Sequence, residues 1–295
     1  MTTYSVDTWT NSIPAGSNDL TAGSPSLHYT WQNAEKTWSL GAPSSGVIRF
    51  EVRPGDVWTA VDPTSKERSE LSGSTTYAPG VQVNVSYNFM IEPGTADAAS
   101  WRVMGQFHQV ENNGYSPPFE IHFDGSEKMG IGVNYLGSNG AQAYKTLWTD
   151  TANIVRGHTY AMQIQATFDQ GQGTGKLVVI RDGVTLVNYS GKMGFAGMSG
   201  VYWKFGIYRA AASQTIAANY SSLVVTTGGA VVSPTPPTTD VAAAYTALSS
   251  QLTTLQSDLT AAQSAVTTLA SAVSTLATDL SNLHSSMVSA GYLAS

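Results

Sequence analysis

The chain has 295 residues, 42% of them hydrophobic and only 12% charged, with a formal net charge of −6 and no cysteine. That length supports a sizeable core, while a charged fraction well below the roughly 25% of an average soluble domain leaves Ser, Thr, Asn and Gln to carry solubility. The acidic balance excludes a non-specific nucleic-acid binder, which needs a basic surface to displace counterions, and the missing Cys excludes disulfides, zinc-thiolate sites and thiol catalysis.

The amino terminus, Met1-Thr2-Thr3-Tyr4-Ser5, has no basic region followed by an apolar run, and no stretch approaches the roughly 18 consecutive apolar residues of a membrane span. The chain as it stands is therefore expected to be neither Sec-exported nor inserted in a membrane. From Met1 to about Thr227, short runs rich in Tyr, Trp, Val and Ile alternate with turn signals: Pro54-Gly55-Asp56, Pro79-Gly80, Asn113-Gly114, Asp124-Gly125 and Asp182-Gly183. Predicted strands run from Val47 to Val52, Val81 to Ile91, Trp101 to Val110, Phe119 to Phe123, Gly130 to Tyr135, Thr159 to Thr167, Gly175 to Arg181, Val201 to Arg209 and Ser221 to Thr226. Leu177 to Arg181, the turn Asp182-Gly183 and Val184 to Tyr189 form the clearest hairpin. So many strands without a helical pattern between them read as an all-β antiparallel sandwich or jelly roll.

Gly228 to Asp240, with prolines at 234, 236 and 237, reads as a linker, and Asp240 suits the N-cap of a helix beginning just after it. From Tyr245 the period changes. Tyr245, Leu248, Leu252, Leu255, Leu259, Ala262, Val266, Leu269, Val273, Leu276, Leu280, Leu283 and Met287 recur at 3,4 spacing, which predicts a coiled coil roughly 60 Å long. The flanking positions hold Ala265, Ala270, Ala272 and Ala277 rather than Lys and Glu pairs, which broadens the apolar stripe and favours a parallel homotrimer through residues 245–287. The expected organisation is a sandwich over 1–227, a linker over 228–240 and an oligomerisation helix over 241–290. So few charges on a long outer helix suit an extracellular or virion-surface fibre.

Three separated stretches put chemically capable side chains on one strand face. Residues two apart share a face, so Arg68 lines up with Glu70, Gln106 with His108, and Tyr202 with Lys204 and Tyr208, while Trp203, Phe205 and Ile207 face the core. Arg68-Ser69-Glu70-Leu71, Gln106-Phe107-His108 and Tyr202-Trp203-Lys204-Phe205-Gly206-Ile207-Tyr208-Arg209 resemble, in order, the signature strands of the jelly-roll polysaccharide lyases, the group of alginate lyases, glucuronan lyases and heparin lyase I. Phe50 to Asp56 and Ser116-Pro117-Pro118 resemble the heparin-lyase-like branch. The likeness spans about residues 45 to 225 and does not extend to the heptads.

The resemblance implies a concanavalin A-like jelly roll and β-elimination at a uronic acid, with a polysaccharide anion as partner and no cofactor. That reaction needs a neutralised substrate carboxylate, a base for the C5 proton and an acid for the leaving oxygen. Carried over by position, the resemblance implies that Arg68 and Gln106 hold the carboxylate and that His108 and Tyr208 share the base and acid roles. Glu70 would orient Arg68, and Tyr202 and Lys204 would line the substrate groove. A free tyrosine has a pKa of about 10, so Tyr208 acts as a base only where cations such as Lys204 and Arg68 favour the phenolate. Arg209, by alternation, points to the opposite face.

His28, His122, His158 and His284 lack such context. His122 stands between Glu120 and Asp124, but four strand residues separate those carboxylates by roughly 13 Å, too far for a glycosidase pair. That face is expected to be solvated. No ligand spacing argues for a metal, structural Ca²⁺ included. Two other classes stay open: a glycan-binding adhesin or virion decoration on the same fold, and a purely structural fibre, either of which could contact other virion proteins.

Overall fold

The computed structural model describes residues 3–5, 19–229 and 241–291. The chain forms two units, Met1–Pro237 and Thr238–Ser295.

The first unit is all β. Its strands among the described residues are β1 (Thr3–Ser5), β2 (Asp19–Ala22), β3 (Leu27–Asn33), β4 (Leu40–Gly41), β5 (Val47–Val52), β6 (Lys66–Gly73), β7 (Gln82–Ile91) and β8 (Arg102–Gln109), followed by β9 (Phe119–Phe123), β10 (Met129–Leu136), β11 (Gln142–Thr149), β12 (Tyr160–Thr167), β13 (Gly175–Arg181), β14 (Val184–Gly191), β15 (Val201–Ala210) and β16 (Ile216–Thr227). They form two sheets, ordered β1-β2-β3-β6-β15-β8-β9-β10-β11 and β14-β13-β12-β7-β16-β5-β4. Pairing is antiparallel throughout except between β1 and β2. This is the jelly-roll sandwich expected from the turn-punctuated sequence.

Period-two patterning explains the layering. In β12 the buried residues Tyr160, Met162, Ile164 and Ala166 alternate with half-exposed ones, so one face meets the core. Between the sheets Tyr29, Phe50, Tyr87, Trp203, Phe205 and Tyr220 make edge-on, tilted and stacked ring contacts at 5.3–6.4 Å. Each such side chain contributes about 1.5–3 kcal/mol by leaving water. The hairpin between β13 and β14 turns at Asp182 and Gly183, both with positive φ (51° and 77°), as a two-residue type I′ turn requires.

Strands β5, β9 and β13 have the predicted bounds, and the remaining predicted strands are displaced at their ends, β16 most of all. The strands β1 to β4 and β11 were not expected. β11 (Gln142–Thr149) is mostly exposed and polar, and β4 is only two residues long, so neither carries an apolar alternation to read.

The second unit contains helix α1 (Val241–Ser289). Its side chains are described from residue 253, and there the heptad residues Leu255, Leu259, Val266, Leu269, Val273, Leu276, Leu280 and Leu283 are all more than half exposed in the single chain. Many hydroxyls on the other faces bond the helix's own carbonyls one turn back: Thr260 to Gln256, Ser264 to Thr260, Thr268 to Ser264 and Thr275 to Ser271. Residues 230–240 of the expected linker, including the Asp240 cap, and the side chains of Tyr245, Leu248 and Leu252 lie outside the described residues. Among the described residues, no helix is long and apolar enough to cross a membrane.

Candidate active site

The three motif strands are neighbours at the centre of the nine-stranded sheet: β15 pairs with β6 on one side and β8 on the other. The register sets Lys204 beside Ser72 and Gln106, Tyr202 beside His108, and Tyr208 beside Arg68. The predicted residues Arg68, Gln106, His108, Lys204 and Tyr208 thereby line one cleft. The other two flank it: Glu70 is fully buried beneath the cleft, and Tyr202 stacks on the His108 ring at 5.5 Å.

A bulge shapes the cleft. Between Phe205 and Tyr208, β15 carries one residue more than β8, and Gly206 has φ of +130°. A Cβ there would collide with the Ser69 carbonyl oxygen and reach Glu70 Cα at 2.8 Å, so only glycine allows the close approach to β6. β8 has its own irregularity against β9, between Val103 and Gly105. From the opposite sheet, the buried Tyr220 hydroxyl lies 2.6 Å from the Met104 carbonyl and 3.1 Å from that of Gly206, donating at the level of both irregularities.

Glu70 is the hub of the polar contacts. It accepts from Gln106 Nε2 at 2.7 Å and Arg68 Nη1 at 3.0 Å, and Lys204 Nζ lies 3.3 Å away. Burial alone would raise its carboxyl, but Lys204, Arg68 and Gln106 together hold it below the usual range. Burial pushes the Lys204 ammonium down, an effect Glu70 partly offsets. Arg68 engages four of its five N–H donors inside the protein: two on Asp62 at 2.7 and 2.9 Å, one on Glu70 and one on Gln32 at 3.0 Å. Its guanidinium also lies 3.7 Å from the centre of the Tyr208 ring, whose edge Trp101 covers at 4.9 Å. Asp62 and Gln32 were not legible beforehand, because one sits in a loop and the other on the unpredicted β3.

His108 is held in one tautomer. Its Nδ1 lies 2.8 Å from the Gln109 carbonyl, which can only accept, so Nδ1 carries the proton and Nε2 the lone pair. Burial, helped by Lys204 and Arg68, pushes the imidazole below its ordinary value and keeps it neutral at pH 7. Arg209 points between the sheets, as alternation predicted; it is fully buried and paired with Glu67 at 2.6 Å and Asp97 at 3.1 Å.

The face carrying Glu120 and His122 is a correction. His122 is buried rather than solvated and Glu120 half-buried, while Asp124 stays exposed, and all three line the same cleft. The cause lies on the next strand: Gly130 and Gly132 of β10 have no side chains, and the rings of His122 and Tyr144 fill that space. The Tyr144 hydroxyl lies 3.0 Å from His122 Nδ1. Burial, with Asp124 nearby, pushes the Glu120 carboxyl up to about 7. Glycines at alternate positions of β10 were the available signal for this packing. Among the described residues, no group of His, Asp and Glu is arranged to hold a metal ion.

Residues 26–224 match the family model described as polysaccharide lyase. An endo-β-1,4-glucuronan lyase from the fungus Trichoderma reesei is similar in structure, with a TM-score of 0.54 and 13% identity over 77% of this chain and 98% of that one. Alginate lyase PA1167 from Pseudomonas aeruginosa is 19% identical over 76% of this chain and 99% of its own, with a TM-score of 0.47. No curated protein sequence matches the chain.

Proposed function

The chain belongs to the polysaccharide lyase family, and from that premise we propose that it cleaves a uronate-containing anionic polysaccharide by β-elimination. The observation that carries the reading is the geometry of His108, its Nδ1–H fixed on the Gln109 carbonyl and its Nε2 left as a base, in the same cleft as the Tyr208 phenol. In the step this supports, His108 Nε2 takes the C5 proton of the uronate. The C5–H electrons form the C4–C5 double bond as the C4–O bond breaks, and the Tyr208 hydroxyl gives its proton to the departing oxygen. Gln106, fixed by Glu70, keeps a second amide hydrogen for the substrate.

The test is the ultraviolet absorbance of unsaturated uronates during incubation with glucuronan, alginate, heparan-type and bacterial capsular polysaccharides. Elimination predicts a rise with the unmodified protein that falls at least about 10²-fold in His108→Ala and Tyr208→Phe. Binding without any rise would instead make the protein an adhesin.

The proposal extends to assembly. The exposed Leu and Val stripe of α1, flanked by alanines, supports a parallel homotrimer that presents three sites to one polymer, at the cell exterior or on a virion surface. Light scattering on the full chain checks this, and a monomeric mass would remove the assembly and the fibre with it. Co-sedimentation with virus particles from the native source would check the setting.

A further inference from the structure

The apolar stripe of α1 calls for a covering helix, and the two flanks of that stripe carry the information on how the cover runs. Just before the first core position of successive heptads stand Asp258, Ala265, Ala272 and Asp279; just after the second stand Gln263, Ala270, Ala277 and His284. In parallel helices without axial offset, a residue of the first flank lies beside the second-flank residue five positions further along its neighbour. Asp258 then meets Gln263, Ala265 meets Ala270, Ala272 meets Ala277 and Asp279 meets His284. Each carboxylate faces a donor and each alanine an alanine.

Asp258, Asp279 and His284 are the only Asp, Glu, Lys, Arg or His residues from Val241 to Ser289, and all three are exposed in the single chain. Asp279 and His284 lie about 140° apart around one helix, at roughly 100° per residue, so this pair closes only between chains. Other alignments break the matching. An antiparallel pair that stacks the central alanines sets Asp258 of one helix against Asp279 of the other, a like-charge contact, and a parallel shift of one heptad leaves Asp258 on Ala270 and His284 on Ala272. We propose that α1 binds further copies of itself in parallel and without axial offset, with Asp258 facing Gln263 and Asp279 facing His284 of the neighbouring chain. This rests on the assembly reading above and adds what sets its direction and register. The Asp279–His284 contact is an ion pair only when the imidazole is protonated, so it stabilises the assembly at low pH and is lost as pH rises through the imidazole range. The elements packed against His284 are copies of α1, whose other charge, Asp258, lies about 40 Å away along the axis.

The chain holds no cysteine, so Met287→Cys, in the core of the last heptad, introduces a lone thiol. Mild oxidation of the full chain should link neighbouring chains through it, whereas the antiparallel arrangement would hold the thiols about 55 Å apart. In sedimentation of the full chain, the assembly should dissociate roughly three- to tenfold less readily at about pH 5.5 than at about pH 8. Asp279→Asn should flatten that dependence, and the exchanged pair Asp279→His with His284→Asp should restore it. An assembled Met287→Cys chain whose thiols stay unlinked, or a pH dependence that persists in Asp279→Asn, overturns the proposal. An unmodified chain that sediments as a monomer at both pH values overturns the assembly reading, and the pairing falls with it.

Discussion

Leu71 and Leu276 are the same side chain in opposite circumstances: the first is fully buried inside the sandwich, the second 68% exposed on α1. The sandwich closes its apolar surface within one chain, because every inner face of one sheet meets the inner face of the other. Helix α1 repeats apolar residues just as regularly, yet a single helix has no inner face, and its stripe is buried only when another helix covers it. One pattern encodes a fold, the other an association. The two units should therefore respond differently to substitution and to protein concentration.

The largest effect is expected where the sandwich is densest. Phe205→Ala removes a ring that contacts Tyr29, Phe50 and Tyr220, and should cost about 3–5 kcal/mol in denaturant unfolding, at a midpoint independent of protein concentration. Gly206→Ala should cost roughly 1–3 kcal/mol from backbone strain and lower elimination at least tenfold, since the bulge sets Tyr208. If both variants behaved like the unmodified protein, the register of β15 against β6 would be wrong.

On α1, Leu276→Ala should leave the unfolding of the sandwich unchanged and lower the helical melting temperature in a concentration-dependent way, read by circular dichroism. A melt indifferent to concentration would erase the contrast between the units. The smallest effects concern pH. Because burial depresses His108, its base form persists below the ordinary imidazole value, and elimination should fall only as pH drops below about 6.5. The Glu120 carboxyl, raised to about 7, gains charge as pH rises through that value, which should raise KM for an anionic glycan. Glu120→Gln should abolish the rise.

The legibility of the sequence divides along the same line. The β13–β14 hairpin was legible because Asp182-Gly183 can adopt the positive φ angles its turn needs, and the three motif strands because polar and apolar residues alternate along them. The Gly206 bulge was not, since alternation counts residues and cannot show where one strand carries an extra one. The charge pairing in the cleft was equally hidden: Asp62 reaches Arg68 from a loop with no periodic signal, and Gln32 from a strand whose buried and exposed positions do not alternate cleanly. The expectation of a solvated Glu120 face failed because it considered β9 alone, whereas glycines on β10 decide what covers it.

The placement of the site on strands rather than loops carries a consequence for heat. Gln106, His108, Lys204 and Tyr208 stand on the two central strands whose irregularities the Tyr220 hydroxyl reaches from the opposite sheet. No local opening can dismantle this site while the sandwich survives, because the elements that hold it are the last to let go. Catalytic capacity and global structure should vanish in one transition on heating, and activity recovered on cooling would then report the fraction of sandwich that has refolded.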